Sequence, residues 1–259
     1  MVIEADDSPT NQYIINNGTI YSQSAWGVIF SDLAVSGTLG STYRDVNNYQ
    51  YSSGNVVGLY NTGSITQDTG TISSSSIYYG HSAAVELAVP SAAEVYVVNT
   101  STGLISGSEN GVDVLTHNVT NAHIDNAGTI KGGTNGINLS PITLSASIGY
   151  TPVLTTLTNL NIYGTITGGI YSIDTASGSV TNGINNYGIL SGDVALGANT
   201  LNLVASASGI NNQPKVNGDI IGGGDSIINV GSASSQTLFT TNGNADVGTI
   251  NVASGSALS

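Results

Sequence analysis

The 259-residue chain has no cysteine, five prolines, and a single methionine and tryptophan. Without cysteine it has neither a disulfide framework nor a thiolate metal centre. Charge is scarce as well. Charged residues make up 7% of the sequence, against roughly 25% in ordinary soluble domains, and only Arg44, Lys131 and Lys215 are basic. Phosphate neutralisation needs clustered lysine and arginine, so nucleic acid is excluded as a partner. A net charge of −13 also disfavours an anionic membrane surface. No apolar run approaches the length of a membrane span. The start, Met1-Val-Ile-Glu-Ala-Asp-Asp, is not a secretory leader, so an exported protein is expected to have carried its leader ahead of this sequence.

Glycine, serine, threonine and asparagine fill the space that charge leaves, with glycine at 34 positions. This palette suits disorder as well as secreted β-proteins. Disordered tracts, however, lack recurring aliphatic residues, whereas here isoleucine, valine and leucine return at fixed places relative to glycine. A folded core is therefore expected.

Those returns form a repeat. The phrase apolar, Asn, any residue, Gly, Thr, Ile stands at Ile15-Asn-Asn-Gly-Thr-Ile20, Tyr60-Asn-Thr-Gly-Ser-Ile65, Asp125-Asn-Ala-Gly-Thr-Ile130 and, shortened, Ile162-Tyr-Gly-Thr-Ile166. Looser copies surround Asn99 and Gly103, Asn186 and Gly188, Asn217 and Gly218, and Gly248. Glycines 103, 128, 164, 188, 218 and 248 are separated by 25, 36, 24, 30 and 30 residues. Repeats of this length mark solenoids. Short alternating strands cannot bury a face alone, so successive turns must stack, about 4.8 Å apart, with aliphatic residues inward. The expectation is an all-β, right-handed parallel β-helix of about ten turns and on the order of 50 Å long.

Asparagine before glycine suits a corner, since it tolerates left-handed backbone angles and its amide bonds nearby main chain. The corner residues are Asn16, Gly18, Asn61, Gly63, Asn99, Gly103, Asn126, Gly128, Gly164, Asn186, Gly188, Asn217 and Gly218, with Asn161 a further amide for a stacked ladder. Two segments are expected to protrude from the single domain, near 73–95 and 138–158. Within the first, Ser82-Ala-Ala-Val-Glu-Leu-Ala-Val89, stopped by Pro90, reads as a short helix or a loop. A sandwich or barrel would show short strands without the recurring phrase, and a left-handed β-helix needs a hexapeptide beat that is absent.

The phrase Ile-Asn-Asn-Gly-Thr-Ile, its Gly-Gly and Gly-Asp continuations, and the run Val216-Asn-Gly-Asp-Ile-Ile-Gly-Gly-Gly-Asp-Ser-Ile-Ile-Asn-Val230 resemble the passenger domains of bacterial autotransporter adhesins. That resemblance implies a right-handed β-helix carried to the outer surface by a C-terminal membrane barrel, which would lie beyond Ser259. It further implies roles in adhesion, self-aggregation and biofilm formation, with surface-layer assembly as a related possibility.

Chemistry is sparse. Serine catalysis needs a histidine oriented by a carboxylate, and His81, His117 and His123 lie in no nucleophile motif. His117 and His123, six residues apart, are too far apart along a strand to share a zinc ion. Polysaccharide lyases and hydrolases also use β-helices. A lyase needs cationic groups that this chain hardly has, while hydrolysis needs paired carboxylates, for which Asp193 with Asp219, or Asp219 with Asp225, are the candidates. The run Gly222-Gly-Gly-Asp-Ser-Ile227 partly matches calcium-binding nonapeptides, making Asp219 and Asp225 the candidate Ca2+ ligands; a corner glycine beside a solvated aspartate explains it more simply. No other cofactor is expected. Nine of thirteen tyrosines lie in the first 130 residues, and Trp26, Tyr43, Arg44, Tyr49 and Tyr51 form the candidate ligand-binding set, since tyrosine offers contact area with a polar tip. The expected protein is a non-catalytic surface adhesin that binds itself, or a host or extracellular glycan or protein.

Overall fold

Short strands separated by Gly and Asn corners leave each turn of chain with three short edges and no means of pairing within itself. Every edge must therefore pair with the turn before and the turn after. The computed structural model describes residues 11–23, 26–31, 56–68, 82–89, 92–116, 119–139, 154–206, 213–232 and 234–258. Among them are twenty-four strands and no helix, and every ladder between strands is parallel. The protein is a parallel β-helix solenoid.

Three columns of strands make its faces. Face one stacks β1 (Gln12–Asn16), β4 (Val56–Asn61), β7 (Ala92–Asn99), β10 (Val119–Asn126), β14 (Asn159–Ile162), β17 (Ile184–Asn186), β19 (Thr200–Leu203), and the second halves of β21 (Ile220–Val230) and β23 (Ala245–Val252). Face two stacks β2 (Thr19–Ser22), β5 (Ser64–Gln67), β8 (Leu104–Gly107), β11 (Thr129–Gly132), the first halves of β15 (Thr165–Asp174) and β18 (Ile189–Ala195), β20 (Lys215–Asn217) and β22 (Leu238–Thr241). Face three stacks β3 (Trp26–Ser31), β6 (Ala83–Ala88), β9 (Asn110–Val114) and β12 (Asn135–Leu139), then the remaining halves of β15, β18, β21 and β23. Face one thus holds nine stacked segments, close to the ten turns expected. Circuit length varies: between equivalent positions of successive turns, Asn16 to Asn61 takes 45 residues and Asn185 to Asn202 takes 17.

The core follows from the register. On face two Ile65, Ile105, Ile130, Ile166, Leu190 and Val216 lie directly over one another, and on face three Val85, Val112, Ile137, Ile173, Val194 and Ile220 do the same; all are fully buried. Each such side chain contributes on the order of 1.5–3 kcal/mol by leaving water, and a period-two alternation delivers it inward in every circuit.

The helix expected over Ser82–Val89 is corrected by β6, a strand of face three with every residue buried. Apart from Glu86 its sequence is apolar throughout, and such a run cannot be told from a buried helix by periodicity alone. The neighbouring β7 is likewise part of the rod, while 69–81, 90–91, 117–118 and 140–153 fall outside the described residues.

The corner glycines need a different explanation from the one their sequence suggests. Positive φ occurs at Gly183, Gly192, Gly197, Gly223, Gly231 and Gly255, and at none of the marker glycines 18, 63, 103, 128, 164, 188 and 218. What all of them except Gly18 lack is room. A Cβ on Gly63 would collide with the carbonyl oxygen of Gly18, one on Gly164 with that of Gly128, and one on Gly188 with that of Gly164. Glycine lies over glycine because the main chains of successive circuits touch at this corner.

Candidate binding face

Face one carries the polar chemistry in two adjacent columns. The buried column is the corner asparagine. The Nδ2 group of Asn16 donates to Oδ1 of Asn61, Asn61 to Asn99, and Asn99 to Asn126, each at 2.8 Å. Each amide also holds main chain: Asn99 donates to the carbonyls of Gly103 and Thr129, both at 3.2 Å. The four side chains are 6% exposed or less, so their polar atoms have no water to fall back on. The ladder stops where Ile162 takes the position above Asn126. Asn186 resumes the corner by itself, accepting from the Gly188 amide at 3.0 Å. Asn217 stands elsewhere, on face two, where it accepts from Asn242.

One residue away, pointing outward, runs a second ladder that the repeat phrase does not reveal. Asn251 donates to Asn229 (2.9 Å), Asn229 to Asn202 (2.8 Å), Asn202 to Asn185 (2.9 Å), Asn185 to Asn161 (2.9 Å), and Asn161 to the Asp125 carboxylate (2.7 Å). Asp125 sets the direction. An ionised carboxylate only accepts, so Asn161 must turn its NH2 toward it, and every amide above must follow. Asn161 therefore belongs to this surface row. The signal for it is present in the sequence as an asparagine between two aliphatics: Leu160-Asn161-Ile162, Leu201-Asn202-Leu203, Ile228-Asn229-Val230 and Ile250-Asn251-Val252, the aliphatics being buried in the first three and exposed in the last.

Below Asp125 the same outward columns turn aromatic. Tyr13, Gly58, Tyr96 and His123 lie in register, beside Ile15, Tyr60, Val98 and Asp125. The Tyr96 ring leans over Gly58, where a Cβ would strike it, and its other side stacks on His123 with centroids 5.8 Å apart and planes 17° from parallel. Burial, then Glu94, then Tyr13 push the Tyr96 phenol above its ordinary value of 10.0. His123 lies between two carboxylates, Nδ1 at 3.9 Å from Glu94 and Nε2 at 3.7 Å from Asp125. At the corner above, Tyr163 and Tyr187 stack at 4.8 Å and 6°, and burial, Tyr187 and Asp125 raise the Tyr163 phenol.

Of the ligand-binding set taken from sequence, Trp26 is a half-buried residue of β3, and Tyr43, Arg44, Tyr49 and Tyr51 lie outside the described residues, as do His81 and His117. The acidic candidates serve corners: Asp193 accepts from the Asp219 amide at 2.9 Å, and Asp219 from the Asn244 amide at 2.7 Å. Asp225 is exposed in β21. Among the described residues no three His, Asp or Glu side chains converge as metal ligands.

Fold and face together define a repeat protein of the parallel β-helix class, with a polar amide row and an aromatic plate on one side. Compared with protein-family models, curated proteins and solved structures, the chain matches none.

Proposed function

We propose that the chain is a non-catalytic adhesive rod of the bacterial cell surface, whose amide row binds the same row on a second copy. One observation carries this reading. Asn161, Asn185, Asn202 and Asn229 each spend one of two N–H donors and one of two acceptor lone pairs within the ladder, which leaves one of each for a partner at every circuit. A row of alternating donors and acceptors repeating about every 4.8 Å matches an identical row. Each contact is weak, about 1 kcal/mol, and the array multiplies them. Exposure at the outer surface, and a membrane barrel that would carry the rod there, belong to the same proposal and are supported by the autotransporter-like phrases of the sequence.

The test is clumping. Beads coated with the protein are expected to aggregate, and beads coated with the Asn185→Ala, Asn202→Ala, Asn229→Ala triple variant to aggregate at least about tenfold less. Equal clumping would remove the amide row from the contact. Turnover of any polysaccharide would replace the adhesin by the catalytic alternative, and ordered sheets or filaments would indicate a surface-layer building block.

A further inference from the structure

The lower half of face one is chemically unlike the upper half, and amide pairing does not use it. Tyr13, Ile15 and Tyr60 are 64%, 62% and 40% exposed, and they are neighbours on the outer side of β1 and β4, where Ile15 and Tyr60 are in register. Exposed apolar area of this kind, bordered by polar groups, marks a binding surface. Tyr96 widens it by lying over Gly58, so that the two columns form one continuous plate across the first three circuits. Its upper border is acidic and acceptor-rich: Glu94 and Asp125, with His123 between them.

We propose that this plate binds an uncharged glycan chain laid along the rod. Pyranose rings present C–H faces that rest on tyrosine rings, and hydroxyls that donate to carboxylates. The plate supplies both, with the carboxylates at its end. A sugar unit is about as long as one circuit is thick, so successive units meet successive circuits. Charge selects among ligands. Among the described residues no lysine or arginine borders the plate, Lys131 and Lys215 standing on face two, so acidic sugars and acidic peptides would meet the carboxylates of Glu94 and Asp125 within a net charge of −13. A neutral polyhydroxyl chain meets no such repulsion.

The proposal stands on residues other than those of the amide row, so the two fail separately. The probes are uncharged hexasaccharides built from glucose, mannose, galactose or N-acetylglucosamine, with hyaluronate hexasaccharide as the acidic control, titrated calorimetrically into the whole chain. At least one neutral hexasaccharide is expected to bind and hyaluronate is not. The Tyr13→Ala, Tyr60→Ala double variant, which removes exposed rings only, is expected to weaken binding at least about tenfold, the size usual for an aromatic hot spot. Gly58→Ala, which lifts the Tyr96 ring, should weaken it as well. The Asn185→Ala, Asn202→Ala, Asn229→Ala variant is expected to bind the sugar unchanged while losing bead clumping. Silence across the neutral panel, binding that survives the double tyrosine variant, or hyaluronate bound as tightly as the neutral sugars would each overturn the proposal.

Discussion

The lower and upper halves of face one use the same side chain in opposite ways. Below, asparagine lies inside the corner, dry, and bonded to main chain as well as to its neighbours; above, it lies one residue earlier, wet, and bonded mainly along its own row. Their directions are opposed too. The buried amides donate upward from Asn16 and the surface amides donate downward from Asn251, so both rows end on adjacent residues of one strand, Asn126 and Asp125. Amide chemistry is constant across the rod, and a shift of one residue, which reverses the side of the sheet, decides whether it holds the structure or faces a partner.

The largest break in this comparison should come from the buried row. Asn99→Ala would strip partners from Asn61, Asn126 and the carbonyls of Gly103 and Thr129, at a cost of about 3 kcal/mol in denaturant unfolding, because buried groups left unpaired cost about 1–3 kcal/mol each before relaxation. Asn202→Ala in the surface row should cost less than about 1 kcal/mol, since water replaces the lost partner. Near-equal losses would dissolve the distinction between the rows.

The glycines sharpen it next. Gly63→Ala places a methyl against the Gly18 carbonyl, whereas Gly18→Ala, in the first circuit, meets nothing within 4 Å. Overpacking costs about 1–3 kcal/mol, so the first variant should melt earlier than the second by several degrees, and a reversed order would contradict contact between circuits as the reason for the glycine. Asp125→Asn should cost less still, about 0.5 kcal/mol. Its effect is on direction: with the acceptor-only group gone, the side-chain amide signals of Asn161 and Asn185 should broaden or double in nitrogen-edited NMR spectra, while those of Asn61 and Asn99 keep their positions.

Much of this was legible beforehand. Asn-x-Gly-Thr-Ile marks the corner and the start of face two, and it stacks as its repetition implies. Offset from the glycine is the finer code. Asn16, Asn61, Asn126 and Asn186 stand two residues before theirs and are buried, whereas Asn161 stands three before Gly164 and Asn217 one before Gly218, and both point outward. The repeat phrase by itself does not carry that parity, which is why it places Asn161 and Asn217 in the corner. The aromatic plate was harder to see, because Tyr13, Tyr60 and Tyr96 are 47 and 36 residues apart in sequence and meet only through circuits of unequal length. β6 escaped because burial on both faces erases alternation.

The smallest effect is alkaline. Tyr96 and Tyr163 titrate above 10.0 in the folded chain, so the folded state holds their protons more tightly than the unfolded one. The stability they contribute is complete below the unfolded value near 10 and is lost as pH climbs through the raised folded values. Tyrosinate absorbance should therefore show two late-titrating phenols, and Tyr96→Phe with Tyr163→Phe should abolish the late phase without touching either amide row.

Neither Lys131 nor Lys215 enters an ion pair, and most of what binds turn to turn is main chain and neutral amide, with carboxylates such as Asp125 and Asp193 as acceptors. Dissolved ions thus have little attraction to screen within a single rod, while between two rods they shorten the reach of a −13 repulsion. Brine would loosen few contacts inside a molecule and let two molecules approach more closely than fresh water does, so salinity would act on cohesion more than on integrity.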